Sequence, residues 1–317
     1  MPNVQHKFQL RKKTDGRGSW LRYLPLPLHR AVALAWLALA LLLGRAACAQ
    51  SIIEAAEFHS AALGRNWTYN VYLPDGYHAR AANLYYPVMY LLHGNNGQRN
   101  DWPVKGGLQR TADRLIRSGA MPPAIIVMPD AGTSWYVDLK EPMETAFFQE
   151  LLPHVENTYR ALASRDARVI GGLSMGGYGA LRYVLKYPER FQAAALLSPA
   201  IYNPEPPTDS SARSVGVFTE VEGQYSAAVW QAHNYPALWD AFLARQMPVP
   251  MYINSGDDDE FMIEAEATRL YSLLRSNRQP AELRIVNGKH EWPVWESTLG
   301  EALQYVFRTV RRPQAQK

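Results

Sequence analysis

The sequence predicts an α/β fold, a mostly parallel central sheet with helices on both of its faces. Three observations carry that reading. From Ser51 onward, short apolar runs alternate with segments of helical periodicity, as expected of strands joined by crossover helices. One such run ends at Leu173 and passes through Ser174 into a glycine-rich helix start, so that Arg168–Ala180 reads as strand, tight turn and helix. The loops that follow the last apolar runs carry aspartates and then a histidine, giving the chain order Ser, Asp, His.

Taken in order, Asn66–Leu73 reads as an early strand stopped by the turn Pro74-Asp-Gly76. Pro87–Leu92 is a short buried strand that runs into His93-Gly-Asn-Asn-Gly97. Leu108–Ser118 has helical spacing, with Leu108, Ala112, Leu115 and Ile116 on one face. Ala124–Met128 is the next strand, closed by Pro129-Asp130, and Thr145–Tyr159 is an amphipathic helix that Pro153 must kink or restart. Arg168–Leu173 and Ala193–Leu197 are strands on either side of the helix Tyr178–Lys186.

Ser198–Tyr235 differs in character, with Pro204, Pro206 and Pro207 followed by polar and aromatic residues. It reads as an insertion over the C-terminal edge of the sheet, either a partial lid or a long surface loop. Val249–Asn254 is a strand ending in Ser255-Gly-Asp-Asp-Asp259, Glu260–Asn277 a helix, Glu282–Val286 a strand and Trp295–Arg311 a final helix. Repeats and internal linkers are missing from the sequence, so residues 50–317 read as a single domain.

The first 49 residues are of another kind. Basic residues are scattered through Met1–Arg30, the apolar run Ala31–Leu43 follows, and Ala47-Cys-Ala49 fits a small-x-small cleavage site before Gln50. This is the layout of a secretory signal, with an apolar run too short to span a bilayer comfortably. Secretion or a periplasmic location is therefore expected, with no stable membrane span after cleavage. An N-terminal anchor or a lipoprotein is the alternative, but Arg45 stands where a lipidation signal has an aliphatic residue.

Cleavage would remove Cys48, the only cysteine, and with it any disulfide, thiol nucleophile or thiolate metal site. It would also reverse the charge. Residues 1–49 hold eight Lys or Arg and one Asp, leaving 25 basic and 28 acidic side chains, about −3, against +4 for the whole chain. A nucleic-acid partner is not expected, because no basic stripe remains.

The candidate chemistry centres on Gly172-Leu-Ser174-Met-Gly176, a G-x-S-x-G sequence between a strand and a helix. In such a turn the serine is held in a strained backbone conformation, and the flanking positions have room for almost no side chain. A serine nucleophile needs a base, and the base needs a group to orient it. His290, in the glycine-bearing turn after the last strand, is the candidate base; His233 precedes the strand whose loop offers the acid. One of Asp257, Asp258 and Asp259 is expected to accept the Nδ1–H of His290.

Attack on an ester creates an oxyanion that must meet preorganised N–H donors. Met175, directly after the serine, supplies one from its backbone. The loop after Pro87–Leu92 supplies the second, with Asn95 the candidate and Asn96 the alternative, while His93 braces that loop. Trp102, Trp135, Tyr136, Trp292 and Trp295 fall in the same predicted loops, as walls of a substrate pocket or as core. Metal-ligand spacing, a phosphate-cradling glycine loop and a dinucleotide fingerprint are lacking in the sequence, so no cofactor or metal is expected.

These residues resemble a known family. Val71-Tyr-Leu-Pro-Asp-Gly-Tyr77, Tyr90-Leu-Leu-His-Gly94 with Asn100-Asp-Trp102, Val127-Met-Pro-Asp130, Ser134-Trp-Tyr-Val-Asp138, Gly171–Ala180 and Gly288-Lys-His-Glu-Trp292 look like motifs of one esterase family of α/β-hydrolases. It groups esterase D, bacterial feruloyl esterases, enterochelin esterases and the antigen 85 mycolyltransferases. The resemblance covers nearly all of the chain after the signal and implies an α/β-hydrolase fold. It places the nucleophile on Ser174, the histidine on His290, the family's G-x-x-D acid on Asp259 and the second oxyanion donor on Asn95. The chain departs from the family at Asn96, where glycine is common; asparagine tolerates a left-handed conformation.

The function expected is an exported serine esterase that hydrolyses a carboxylic ester, sugar-linked or with an aromatic acyl group, through an acyl-enzyme on Ser174. The alternative is an acyltransferase that delivers the same acyl group to a sugar or lipid hydroxyl.

Overall fold

In the computed structural model, which describes residues 51–79, 83–221 and 223–315, the apolar runs assemble into one eight-stranded sheet. Its strands are β1 (Ile52–Ser60), β2 (Arg65–Leu73), β3 (Val88–Leu92), β4 (Ile125–Pro129), β5 (Arg168–Leu173), β6 (Ala193–Leu197), β7 (Met251–Gly256) and β8 (Ala281–Val286). Across the sheet they run β1-β2-β4-β3-β5-β6-β7-β8. β2 pairs antiparallel with both β1 and β4, and every other pairing is parallel. The β3, β4, β5 and β6 strands are buried along their whole length, which is why they read as unbroken apolar runs.

Alternation within each strand builds a core on each face of the sheet. Val88, Tyr90 and Leu92 join one core, and Met89 and Leu91 the other. The first is covered by α2 (Met143–Ala146, a π turn Phe147–Leu151, then Leu152–Thr158), α3 (Met175–Lys186), α5 (Pro236–Ala244) and α6 (Ile263–Ser276). The second is covered by α1 (Leu108–Arg117) and α7 (Trp292–Phe307). Residues 50–317 make one compact unit. The expected signal, residues 1–49, lies outside the described residues. Among the described residues no helix is long and apolar enough to cross a membrane.

Several elements depart from the sequence reading. β1 went unread because Glu54 and Glu57 interrupt it; it is an edge strand, with one face open to solvent. Pro153 restarts the helix, one of the two outcomes its sequence position allows, and the structure adds how. The helix widens into the π turn immediately before it, and the proline then stands at the start of the next α segment, where its missing N–H costs little. α7 begins at Trp292 rather than Trp295, because Pro293 suits the first turn of a helix.

The segment 198–235 is more ordered than a surface loop. It contains α4 (Ala227–His233), whose Trp230 is fully buried, stacks on Tyr178 of α3 at 5.4 Å and donates from Nε1 to the Tyr202 carbonyl at 3.1 Å. Tyr178 Oη and Arg182 Nη1 donate to the His233 carbonyl at 2.7 and 3.0 Å. The base of the insertion is thereby fastened to the helix that follows Ser174.

Candidate active site

Ser174 stands between β5 and α3 at φ 52° and ψ −118°, a conformation that ordinary side chains avoid. Backbone bonds hold it there. Its N–H donates to the Leu197 carbonyl at 2.9 Å, and its own carbonyl accepts from Tyr178 and Ala200 at 3.0 and 3.1 Å. The flanking glycines are required by space. A Cβ on Gly172 would lie 2.5 Å from the Gly176 carbonyl, and one on Gly176 would lie 2.7 Å from the carbonyl oxygens of Leu92 and His93. Met175 is the first residue of α3, so its N–H belongs to the turn that lacks intrahelical acceptors.

His290 Nε2 lies 2.9 Å from Ser174 Oγ, and His290 Nδ1 lies 2.8 Å from Asp259 Oδ2. With the proton on Nδ1 donated to the carboxylate, Nε2 is free to accept from the serine hydroxyl. Asp259 is buried at 4% exposure, and its other oxygen accepts the Phe261 N–H at 3.0 Å. The neighbouring aspartates are exposed and do other work: Asp257 Oδ1 accepts the Gly288 N–H at 3.0 Å, and the Asp258 N–H donates to the Gly288 carbonyl at 2.9 Å. The aspartate and histidine loops touch so closely that a Cβ on Gly256 would lie 2.2 Å from the Gly288 oxygen. His233 bonds the Val229 carbonyl of its own helix through Nδ1, at 2.8 Å.

The loop after β3 is braced from within. His93 is fully buried, donates from Nδ1 to the Gly94 carbonyl at 2.7 Å and accepts the Ala131 N–H on Nε2 at 2.8 Å. Burial pushes its pKa below the ordinary histidine value. The Tyr136 hydroxyl donates to the His93 carbonyl at 3.0 Å. Asn96 takes the left-handed conformation at φ 58°, standing in for a glycine. Asn95 faces the same cavity as Ser174, and its Oδ1 is buried without a hydrogen-bond partner among the described residues.

That cavity has a volume of about 550 Å³, and Asn95, Ser174, Phe261, His290, Trp292 and Trp295 line it. Of the five aromatic residues suggested as pocket walls, only Trp292 and Trp295 are therefore in place. Trp102, Trp135 and Tyr136 are core instead, because each is almost wholly buried and held by its own partners. Trp102 donates to the Leu92 carbonyl at 3.0 Å and meets Trp292 edge-on at 5.4 Å. Trp135 packs among Tyr178, Phe218 and Trp230 at 5.3–5.7 Å, and Tyr136 supports the His93 loop.

Sequence reasoning missed two features. Phe261 meets the His290 ring edge-on at 5.2 Å, and only its place two residues after Asp259 could have signalled it. The second is a buried charge cluster behind the elbow helix. Glu144 is 2% exposed and accepts from Arg182 at 3.0 Å, from the Tyr187 hydroxyl at 2.7 Å and from Lys186. Burial alone would raise its pKa, but the Arg182 charge and the bonds from Lys186 and Tyr187 hold it below the usual carboxylate range.

The strand order, the strained serine between β5 and α3, and the Ser–His–Asp string define an α/β-hydrolase. The family model described as "Putative esterase" matches residues 60–306, and the chain belongs to that family. It is 41% identical over 147 residues to an esterase of Mycobacterium tuberculosis, covering 44% of this chain and 30% of that protein. It is 34% identical over 171 residues to an endo-1,4-beta-xylanase/feruloyl esterase of Xylanibacter ruminicola, covering 50% and 23%. The matches thus span less than a third of the length of either relative. Among solved structures, a ferulic acid esterase superposes with a TM-score of 0.68 at 29% identity, over 83% of this chain and 100% of that one.

Proposed function

We propose that the chain is an exported serine esterase that hydrolyses carboxylic esters through an acyl-enzyme on Ser174. One observation carries the reading: the unbroken string Ser174 Oγ, His290 Nε2, His290 Nδ1 and Asp259 Oδ2, with steps of 2.9 and 2.8 Å, at the edge of an open cavity. Ser174 Oγ attacks the ester carbonyl while His290 Nε2 takes its proton, and Asp259 stabilises the imidazolium. The backbone N–H groups of Met175 and Asn95 receive the oxyanion. Collapse expels the alcohol, which takes the proton from His290. Water then attacks the acyl-enzyme with His290 as base, releasing the carboxylic acid and restoring Ser174.

The substrate class is a sugar-linked or aromatic acyl ester. The likeness to a feruloyl esterase and to a ferulic acid esterase supports it, as does the aromatic wall of Phe261, Trp292 and Trp295. Export is supported by the leader, with cleavage after Ala49. Replacing Ser174 with alanine is expected to abolish hydrolysis of short p-nitrophenyl esters and labelling by a fluorophosphonate, with the protein still folded. Retained hydrolysis in that variant would refute the assignment.

A further inference from the structure

The loop that offers Asn95 is gripped from outside as well as from within. Asp101 is a carboxylate at 4% exposure in the wall of the cavity. Its Oδ2 accepts the Gln98 N–H at 3.2 Å, and its own N–H donates to the Gln98 carbonyl at 3.0 Å. Gly97 lies against the same carboxylate, since a Cβ there would be 2.7 Å from Oδ2. The other oxygen, Oδ1, pairs with Lys105 Nζ at 3.0 Å. Lys105 is about half exposed, at 51%, and its ammonium also sits 5.7 Å over the ring of Trp292, two residues after His290. Trp102 meets that ring edge-on from the same short turn, and a Cβ on Gly106 would lie 3.1 Å from it.

We infer that Asp101 and Lys105 are a positioning pair that sets the oxyanion loop relative to the histidine. Asp101 fixes the backbone two and three residues beyond Asn95, and Lys105 ties that carboxylate across to the first turn of α7. The inference rests on the reading of Ser174 as nucleophile and of the Asn95 N–H as an oxyanion donor. Neither side chain takes part in the proton transfers of the reaction or touches the reacting carbonyl. They act through the placement of a donor, and placement errors of about 1 Å are costly in the transition state while leaving ground-state binding nearly intact.

The test measures kcat and KM for p-nitrophenyl acetate, together with the affinity for phenylboronic acid, a trigonal inhibitor that becomes tetrahedral on Ser174. Asp101→Ala is expected to lower kcat by between about tenfold and about a hundredfold, with KM within about threefold. Phenylboronic acid affinity should fall in parallel, a change that a loss of stability alone would not produce in the folded fraction. Asp101→Asn keeps one acceptor for the Gln98 N–H but turns an amide NH2 toward Lys105, so it should recover kcat only in part. A folded Asp101→Ala with kcat within about twofold of the parent would overturn the inference, as would a fall in kcat with boronate affinity unchanged. Should Asp101→Ala fail to fold, Lys105→Met carries the test, and a kcat and boronate affinity both within about twofold of the parent would overturn it. Ser174→Ala, run alongside, separates this from a failure of the nucleophile assignment, because its loss of activity does not depend on Asp101.

Discussion

Asp259 Oδ2 lies 2.8 Å from His290 Nδ1, whereas Asp257, two residues earlier on the same loop, turns its carboxylate to the backbone of Gly288. Three consecutive aspartates thus divide the work of one turn. The expected consequence is asymmetric: Asp259→Asn lowers kcat by on the order of 10⁴, because the histidine loses its orienting acceptor and its tautomer. Asp257→Asn and Asp258→Asn should stay within about threefold, since neither carboxylate reaches the imidazole. Steady-state rates on p-nitrophenyl acetate decide this, and a severe loss in Asp258→Asn with a mild one in Asp259→Asn would reverse the assignment.

The strain at Ser174 has a thermodynamic signature separable from chemistry. A serine at φ 52° pays for a conformation that glycine enters freely, at a cost of order 1–3 kcal/mol. Ser174→Ala keeps that strain and Ser174→Gly relieves it, although glycine also loses more entropy on folding. Both variants should be inactive, and the glycine variant should be more stable than the alanine variant by about 1 kcal/mol. Urea or thermal unfolding of the pair measures it, and a less stable glycine variant would mean the elbow is not strained.

Gly256 is predicted to be sensitive to substitution, although it carries no chemistry. A methyl group there would meet the Gly288 carbonyl at 2.2 Å, and backbone cannot yield as a flexible side chain does. Gly256→Ala must push apart the loops of Asp259 and His290. It should cost about 1–3 kcal/mol of stability and reduce kcat by about a hundredfold or more, read by unfolding and by rate on the same preparation.

What the sequence disclosed and what it withheld divide along physical lines. Local sterics and chain order are written in residues: the glycines around Ser174, the Gly-bearing turn of His290 and the buried strands were all legible. The order of the strands was not read, because chain order alone does not say which apolar runs pair. The pocket wall was not legible either, because an aromatic residue in a loop says nothing about which side it faces, so pocket and core stayed open alike for Trp102, Trp135, Tyr136, Trp292 and Trp295. The Glu144 cluster was invisible for a related reason. Its members, 38 and 42 residues apart in sequence, meet only once α2 and α3 have packed.

Glu144 offers the final prediction. The Arg182 charge beside it holds its carboxyl below the ordinary carboxylate value of 4.5, so in the native state it stays ionised to lower pH than in the unfolded chain. The unfolded state then binds more protons as pH falls, and the contribution of this residue is complete above about pH 4.5 and is lost as pH drops through the depressed native value. Glu144→Gln leaves Arg182 buried without its counter-charge and should cost roughly 3–5 kcal/mol at neutral pH. The stability gap between parent and variant should be flat from pH 8 to about 5, begin to close below about 4.5, where the unfolded chain takes up the proton, and be gone once pH passes the depressed native value. Unfolding in urea across that range checks the sign. A gap that widened toward acid would mean that burial, and not the Arg182 charge, governs Glu144. Because Arg182 also donates to the His233 carbonyl, the same variant should loosen α4 against α3, detectable as faster amide exchange in 227–233 than in β5.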